Sequence, residues 1–232
     1  MSLGVGAGLA AVRARIRAAC TKAGRPADAV ALLAVSKTHA ASAVREAHAA
    51  GQRAFGENRV QELAAKAAAS TDLEGIEWHL IGSLQTNKVR ELLAVPGLAL
   101  VHSLDRERLA DALQVELERL GRELEVLLQI HATQEVTKHG CLVADAPALL
   151  RHVVARCPRL RVQGLMAMGP AEGDPAPVFA QVVALREELR ASSGLPLPWL
   201  SLGMSGDLEA AVAAGSTLVR IGSAVFGARA VE

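Results

Sequence analysis

The sequence predicts an α/β fold: a single (β/α)8 TIM barrel with an extra helix at its N-terminus. Three observations carry that expectation. Strand-like apolar runs alternate with helix-like stretches eight times, which calls for parallel strands joined by crossover helices. The length of 232 residues suits one barrel of ~250 residues, and no linker or shift in composition divides it, so residues 1–232 read as one domain. Nearly every predicted strand also ends on polar residues, at the edge where barrels keep their chemistry. An open, doubly wound sheet is the structural alternative.

Taken in order, Leu9, Val12, Ile16 and Ala19 form an apolar stripe at helical spacing. They predict a helix from Leu9 to Lys22, ended by Gly24 and Pro26. The first strand, Ala31–Lys37, is a short apolar run that stops abruptly on lysine, as a strand buried on both faces would. A helix over 41–50 follows, then a strand over 53–57 and a helix over 59–69. The third strand spans 77–82 with a short helix at 87–93, and the fourth spans 98–103 with a charged helix at 106–120. Strand five (125–131) leads to a helix at 146–155, and strand six (161–168) to one at 177–190. Strand seven (199–204) precedes a helix at 207–214, and strand eight covers 218–223.

Composition excludes several classes. A net charge of +1 offers no electrostatic footprint for nucleic acid. No uncharged run reaches the ~18 residues of a membrane span, and the arginines at 13, 15 and 17 fall on the wrong side for a signal peptide. The three cysteines, Cys20, Cys141 and Cys157, are odd in number and follow no metal-ligand spacing. They read as buried thiols of a cytoplasmic protein, with Cys141 as a thiol of interest near the strand-five loop.

The strand ends describe a polar ring around Lys37. Strand two ends on Gly56-Glu57-Asn58, strand three carries His79 and then Gly82-Ser83, and strand four carries His102-Ser103. Strand five brings Gln129 and His131, strand six Met166 and Met168, and strand seven Met204-Ser205-Gly206. Strand eight brings Arg220-Ile221-Gly222-Ser223. A lysine held there, partly desolvated, can attack a carbonyl to form a Schiff base, although a strand-end lysine is more often just solvated. Ser205-Gly206 is expected to open a helix, and Gly222-Ser223 to precede a short one. Such turns offer free N–H groups to an anion, and barrels commonly bind phosphate after strands seven and eight. Either glycine can also be an ordinary turn residue. Arg220 should be buried beside a specific acceptor, or else ion-paired with Glu57.

These segments resemble the pyridoxal-phosphate homeostasis protein family. The resemblance rests on Ala34-Val35-Ser36-Lys37-Thr38, Phe55-Gly56-Glu57-Asn58-Arg59 and His79-Leu80-Ile81-Gly82-Ser83-Leu84-Gln85-Thr86-Asn87-Lys88. It continues through Gly164-Leu165-Met166, Leu202-Gly203-Met204-Ser205, and Val219-Arg220-Ile221-Gly222-Ser223 to Phe226-Gly227-Ala228-Arg229. It implies the barrel of the alanine racemase N-terminal domain without the racemases' second domain. It further implies that Lys37 carries pyridoxal 5′-phosphate as a Schiff base. By the same resemblance Ser205, Gly222 and Ser223 hold the phosphate beside Met204, Arg220 faces the pyridine nitrogen, and Asn58 and His79 line the surroundings. The chain departs from the family at His131, where asparagine is usual, at Gly206, usually acidic, and at Ser223, usually threonine.

The expected activity is that of a carrier rather than a catalyst. An arginine at the pyridine nitrogen disfavours its protonation and weakens the cofactor as an electron sink. The racemases' second base is a tyrosine, and this chain contains none. A racemase using Lys37 with His131 or His79 is the enzymatic alternative. A sugar-phosphate aldolase or isomerase, with Lys37 attacking the substrate itself, is a third. PLP-requiring apoenzymes are the conceivable recipients, and a monomer is expected. Lys138, just past strand five, is a candidate second amine, or a solvated loop lysine.

Overall fold

In the computed structural model, residues 4–133 and 139–227 are described. The strands are β1 (Ala31–Val35), β2 (Ala54–Glu57), β3 (Glu77–Leu80), β4 (Leu98–Leu104), β5 (Leu124–His131), β6 (Cys141–Leu142), β7 (Leu160–Ala167), β8 (Trp199–Ser201) and β9 (Leu218–Ile221). All pair in parallel, in the order β4-β3-β2-β1-β9-β8-β7-β5, and a β4–β5 pairing closes the ring into an eight-stranded barrel. The two residues of β6 lie against the end of β5 and are not a stave. Outside the ring lie α1 (Val5–Lys22), α2 (Ala41–Ala49), α3 (Val60–Ala68), α4 (Val89–Leu93), α5 (Glu107–Leu120), α6 (Ala146–Arg156), α7 (Ala176–Ser193), α8 (Leu208–Ala214) and α9 (Ser223–Phe226). Among the described residues no helix is long and apolar enough to cross a membrane.

Burial on both faces explains why the strands read as continuous apolar runs. The outward side chains, Phe55, Trp78, Leu80, Val101, Val126, Leu128 and Leu165 among them, join the helices in one apolar layer. Inside the ring a separate small cluster of Leu100, Leu127 and Met166, with Trp199 packed against it, fills one level. Polar side chains take the next. The register sets Gln129 beside Met166 and Met166 beside Ser201. A small apolar floor under a polar level is what a barrel with a site at one end requires.

The observed boundaries differ from expectation where tertiary contacts intervene. The first helix starts at Val5 rather than Leu9, taking in two glycines that would weaken it in isolation. Packing compensates: a Cβ on Gly8 would lie 2.6 Å from the Val225 carbonyl oxygen, so the missing side chain lets α1 press against α9. Strands one, three, seven and eight stop two or three residues early, at Val35, Leu80, Ser201 and Ile221, because the chain leaves the ladder there to turn into the barrel mouth. Ser205-Gly206 does not open a helix. It lies in a turn, and α8 begins only at Leu208 after Asp207. A hydrogen bond from the Met204 N–H to Oδ1 of Asp207 closes that turn, so the Asp207 side chain is engaged upstream and does not cap α8.

Candidate functional site

A cavity of about 450 Å³ opens at the carboxyl ends of the strands. Val35 and Lys37 enter it from β1, Asn58 from β2, Gln129 from β5, and Met166 and Met168 from β7. Met204, Ser205 and Gly206 follow β8, while Arg220, Gly222 and Ser223 come from β9 and the start of α9. Seven of the eight residues singled out from the sequence therefore meet in one place: Lys37, Asn58, Met204, Ser205, Arg220, Gly222 and Ser223.

Lys37 sits two residues beyond β1, and its backbone is clamped on both sides. Nζ of Lys66, on α3, donates to the Ser36 carbonyl at 2.6 Å, to Oε1 of Glu57 at 2.6 Å and to Oε1 of Glu62 at 2.8 Å. The Ser36 hydroxyl donates to the same Glu57 oxygen at 2.6 Å. On the other side, the Thr38 N–H donates to Oε1 of Glu62 at 2.6 Å. Thr38 has φ 67°, a left-handed conformation that costs a β-branched residue about 1–2 kcal/mol. The Glu62 bond is what holds it there. Burial raises the Glu57 carboxyl above its ordinary range despite the bonds from Lys66 and Ser36. Burial acts on Glu62 in the same sense, but its bonds to Lys66 and Thr38 outweigh it and the net shift is downward. Glu57 thus pairs with Lys66, and the alternative of an ion pair with Arg220 is not formed.

Arg220 is buried and anchored to the ends of the neighbouring strands β8 and β7. Nη1 donates to the carbonyl and, at 2.8 Å, to the hydroxyl of Ser201, and Nη2 donates to the Ala167 carbonyl at 2.9 Å. Burial lowers its pKa to about 10, which leaves it charged at neutral pH. Behind it runs a chain of polar side chains across the barrel. Ser201 Oγ lies 3.0 Å from Nδ1 of His102, and Nε2 of His102 lies 3.0 Å from Nδ1 of His79. The serine oxygen accepts from Arg220 and has both a hydrogen and a second lone pair for Nδ1 of His102, so the chain is satisfied with two neutral rings in either direction, one ring nitrogen donating to the other. Burial keeps both rings neutral, pushing His79 down to about 4 and His102 well below its ordinary value, with repulsion from His79 and Arg220 adding to the latter.

His79 is bonded to His102 and is not among the residues that line the cavity. His131 does not line it either. Two other histidines do: His39, whose ring stacks on Phe226 at 5.3 Å, and His139, whose carbonyl accepts from Gln129 at 2.9 Å. Loop residues of this kind carry no periodicity that would have flagged them. Lys66 did leave a trace, as a lysine among the core-facing positions Val60, Leu63 and Ala67.

The loops after β8 and β9 face each other, with the Ser223 and Ser205 hydroxyl oxygens 3.4 Å apart. Gly222 is the N-cap of α9 and lies tight against β1, since a Cβ there would come within 3.1 Å of the Val35 carbonyl. From outside, Arg15 of α1 donates to the Ser205 carbonyl at 2.8 Å and pairs with Glu209. Gly206 lies in the turn that Asp207 closes. Cys20, Cys141 and Cys157 are buried, as expected. Burial pushes the Cys141 thiol up to about 11, with Asp145 adding, which makes it unreactive at neutral pH. Lys138 lies outside the described residues.

Comparison with known proteins agrees with this architecture. The family described as alanine racemase, N-terminal domain, matches residues 8–230. The pyridoxal phosphate homeostasis protein of Pseudomonas aeruginosa is 47% identical over 221 residues, 95% of this chain and 94% of its own. The human protein of that name is 42% identical over 240 residues, 98% and 87% of the two chains. Among solved structures, PipY of Synechococcus elongatus with PLP bound superposes with a TM-score of 0.83 at 39% identity, over 96% of this chain and 100% of its own. Alanine racemase of Corynebacterium glutamicum, at 20% identity and a TM-score of 0.67, matches 96% of this chain but 62% of its own, and so shows the shared barrel alone. By sequence and by barrel together, the chain belongs to the pyridoxal phosphate homeostasis proteins, a family built on the alanine racemase N-terminal fold.

Proposed function

We propose that this protein holds pyridoxal 5′-phosphate reversibly and serves intracellular vitamin B6 homeostasis, without strong catalysis of its own. The observation that carries the reading is the convergence of Lys37, Arg220 and the Ser205/Gly222/Ser223 turns on one cavity. When bound, the cofactor supplies an aldehyde for covalent attachment and an electron-withdrawing ring. The residues present fit such a molecule at each end. Lys37 offers the amine, the two serine hydroxyls and the N-terminus of α9 offer donors to a phosphate, and Arg220 offers a fixed cation to the ring nitrogen. Asn58 and Met204 contribute wall contacts. Gln129 lines the same cavity, and its buried Oε1 has no hydrogen-bond partner among the described residues, so the wall has spare polar capacity. His79 acts through His102 and Ser201 on Arg220 rather than by contact.

Arg220 limits the chemistry without separating carrier from racemase, since racemases of this barrel type work with such an arginine; the missing second base favours carrying. A guanidinium that stays charged at neutral pH opposes protonation of the ring nitrogen and so weakens carbanion chemistry. The histidines that a racemase reading required, His131 and His79, do not line the cavity. We assign the protein to the reducing cytoplasm, consistent with three buried free thiols, and regard PLP-requiring apoenzymes as the recipients of a monomeric single-domain carrier.

The test is an absorbance spectrum of the purified protein beside Lys37→Ala. A visible band that borohydride removes, and that is absent from the variant, is the expected result. A protein that stays colourless after PLP is added would overturn the reading and favour Lys37 acting directly on a sugar phosphate.

A further inference from the structure

Away from the cavity, in the outer helical layer, α5 and α6 bring Asp111, His152 and Cys157 together. Asp111 lies one turn into α5, His152 is on α6, and Cys157 is the C-cap of α6. Oδ1 of Asp111 is 2.7 Å from Nε2 of His152 and 3.8 Å from Sγ of Cys157. The ligand atoms of the three residues all lie within 4.8 Å of one another. On the far side of the imidazole, Nδ1 faces Oε2 of Glu107 at 3.5 Å. None of these residues lines the cavity.

As hydrogen bonding, the arrangement satisfies His152 at 2.7 Å and leaves the thiol only a long contact, 3.8 Å, to the same oxygen. An imidazole and a thiol converge on one carboxylate oxygen, while a second carboxylate stands behind the ring. As coordination chemistry it is coherent. Thiolate, imidazole and carboxylate are the three ligand types of zinc sites, and tetrahedral bond lengths set ligand atoms about 3.3–3.6 Å apart. The two separations from Asp111, 2.7 and 3.8 Å, bracket that range, and the third pair lies within 4.8 Å. A carboxylate on the second ring nitrogen is the usual outer-shell partner that orients a metal-bound histidine. The spacing Asp111…His152-x4-Cys157 matches no sequence motif, because helix packing assembles the site.

We propose that Asp111, His152 and Cys157 form a binding site for Zn²⁺ or a similar borderline divalent cation, with water as fourth ligand and Glu107 orienting His152. Binding displaces the Cys157 thiol proton to solvent and leaves the ring hydrogen of His152 on Nδ1, toward Glu107. The site is independent of the cofactor reading. Either can fail without the other.

The experiment is a Co²⁺ titration of chelator-treated full-length protein, followed as difference spectra against the metal-free sample so that any cofactor absorbance cancels. The expected result is a thiolate-to-cobalt charge-transfer band that saturates at about one equivalent, is abolished by excess Zn²⁺, and persists in Cys20→Ala and Cys141→Ala. Cys157→Ala should remove the band. If that variant does not fold, Asp111→Asn and His152→Gln, on more accessible side chains, should each weaken cobalt affinity at least tenfold. Absence of a charge-transfer band in the parent protein, or affinity unmoved in both of these variants, would overturn the site.

Discussion

At the scale of single residues, the placement of Lys37 rests on Lys66. That amine bonds the carbonyl just before Lys37, and through Glu62 it is tied to the N–H just after. Removing it leaves Glu57, whose side chain is 0% exposed, as an uncompensated buried carboxylate. Lys66→Met should therefore cost about 3–5 kcal/mol of stability and weaken PLP uptake. The two effects can be separated. Replacing both partners, as Glu57→Leu with Lys66→Met, removes the buried charges together and should restore most of the stability. PLP affinity should remain below that of the parent, because the Ser36 carbonyl has lost its donor. Chemical denaturation and a PLP titration on the same samples check this. Full recovery of affinity in the double variant would show that Lys66 serves stability alone.

At the scale of elements, α1 acts as a brace for the turns proposed to hold phosphate. It contacts α9 through the bare backbone at Gly8 and holds the Ser205 carbonyl through Arg15. Two glycines two positions apart make a controlled comparison. A Cβ at Gly6 would meet Ala50 at an ordinary 3.8 Å, whereas at Gly8 it would lie 2.6 Å from a carbonyl oxygen. Gly6→Ala should be neutral or gain up to about 1 kcal/mol from helix propensity. Gly8→Ala should lose about 1–3 kcal/mol to overpacking, and should weaken PLP binding by displacing α9. Thermal melts with and without PLP decide it, and equal behaviour of the two variants would remove the brace from the account.

At the scale of the whole molecule, the polar chain from Arg220 to His79 crosses the barrel interior and couples stability to pH. Burial holds His79 neutral with a folded pKa of about 4, against an ordinary value of about 6.5 in the unfolded chain. Below about pH 6.5 the unfolded state takes up protons that the fold refuses, so stability is greatest above that pH and falls as acid is added. Between about pH 6.5 and 5 His79 alone accounts for about 2 kcal/mol at 1.36 kcal/mol per unit, opposed by the raised Glu57 carboxyl, which acts in the reverse sense. His102, also pushed well down by burial, adds in the same sense. Urea unfolding across that window checks this, and a flat profile would mean that the pair is not neutral as assigned. The carrier reading is also tested at this scale, by amino-acid racemisation assays on PLP-loaded protein. Turnover is expected to be negligible, and enzyme-like rates would restore a catalytic reading, with His39 and His139 as the wall-lining candidates.

The sequence by itself determined the alternation of strands and helices, the barrel class, the strand-end lysine, the arginine on the last strand and the glycine turns after the last two strands. These are local properties. Hydrophobic period marks the elements, and chain order in a parallel barrel sends every strand end to the same rim. Tertiary structure alone decided which polar group met which. Glu57 went to Lys66 and not to Arg220, and His79 went to His102 rather than to the wall. Gln129, His39 and His139 became wall residues, and Asp111, His152 and Cys157 came together from two helices. The Glu62–Lys66 spacing of four was legible as a helical pair, but its inward direction was not. Partners of this kind lie up to about a hundred residues apart, as His102 and Ser201 do. Their meeting depends on strand register and barrel closure, which periodicity does not encode.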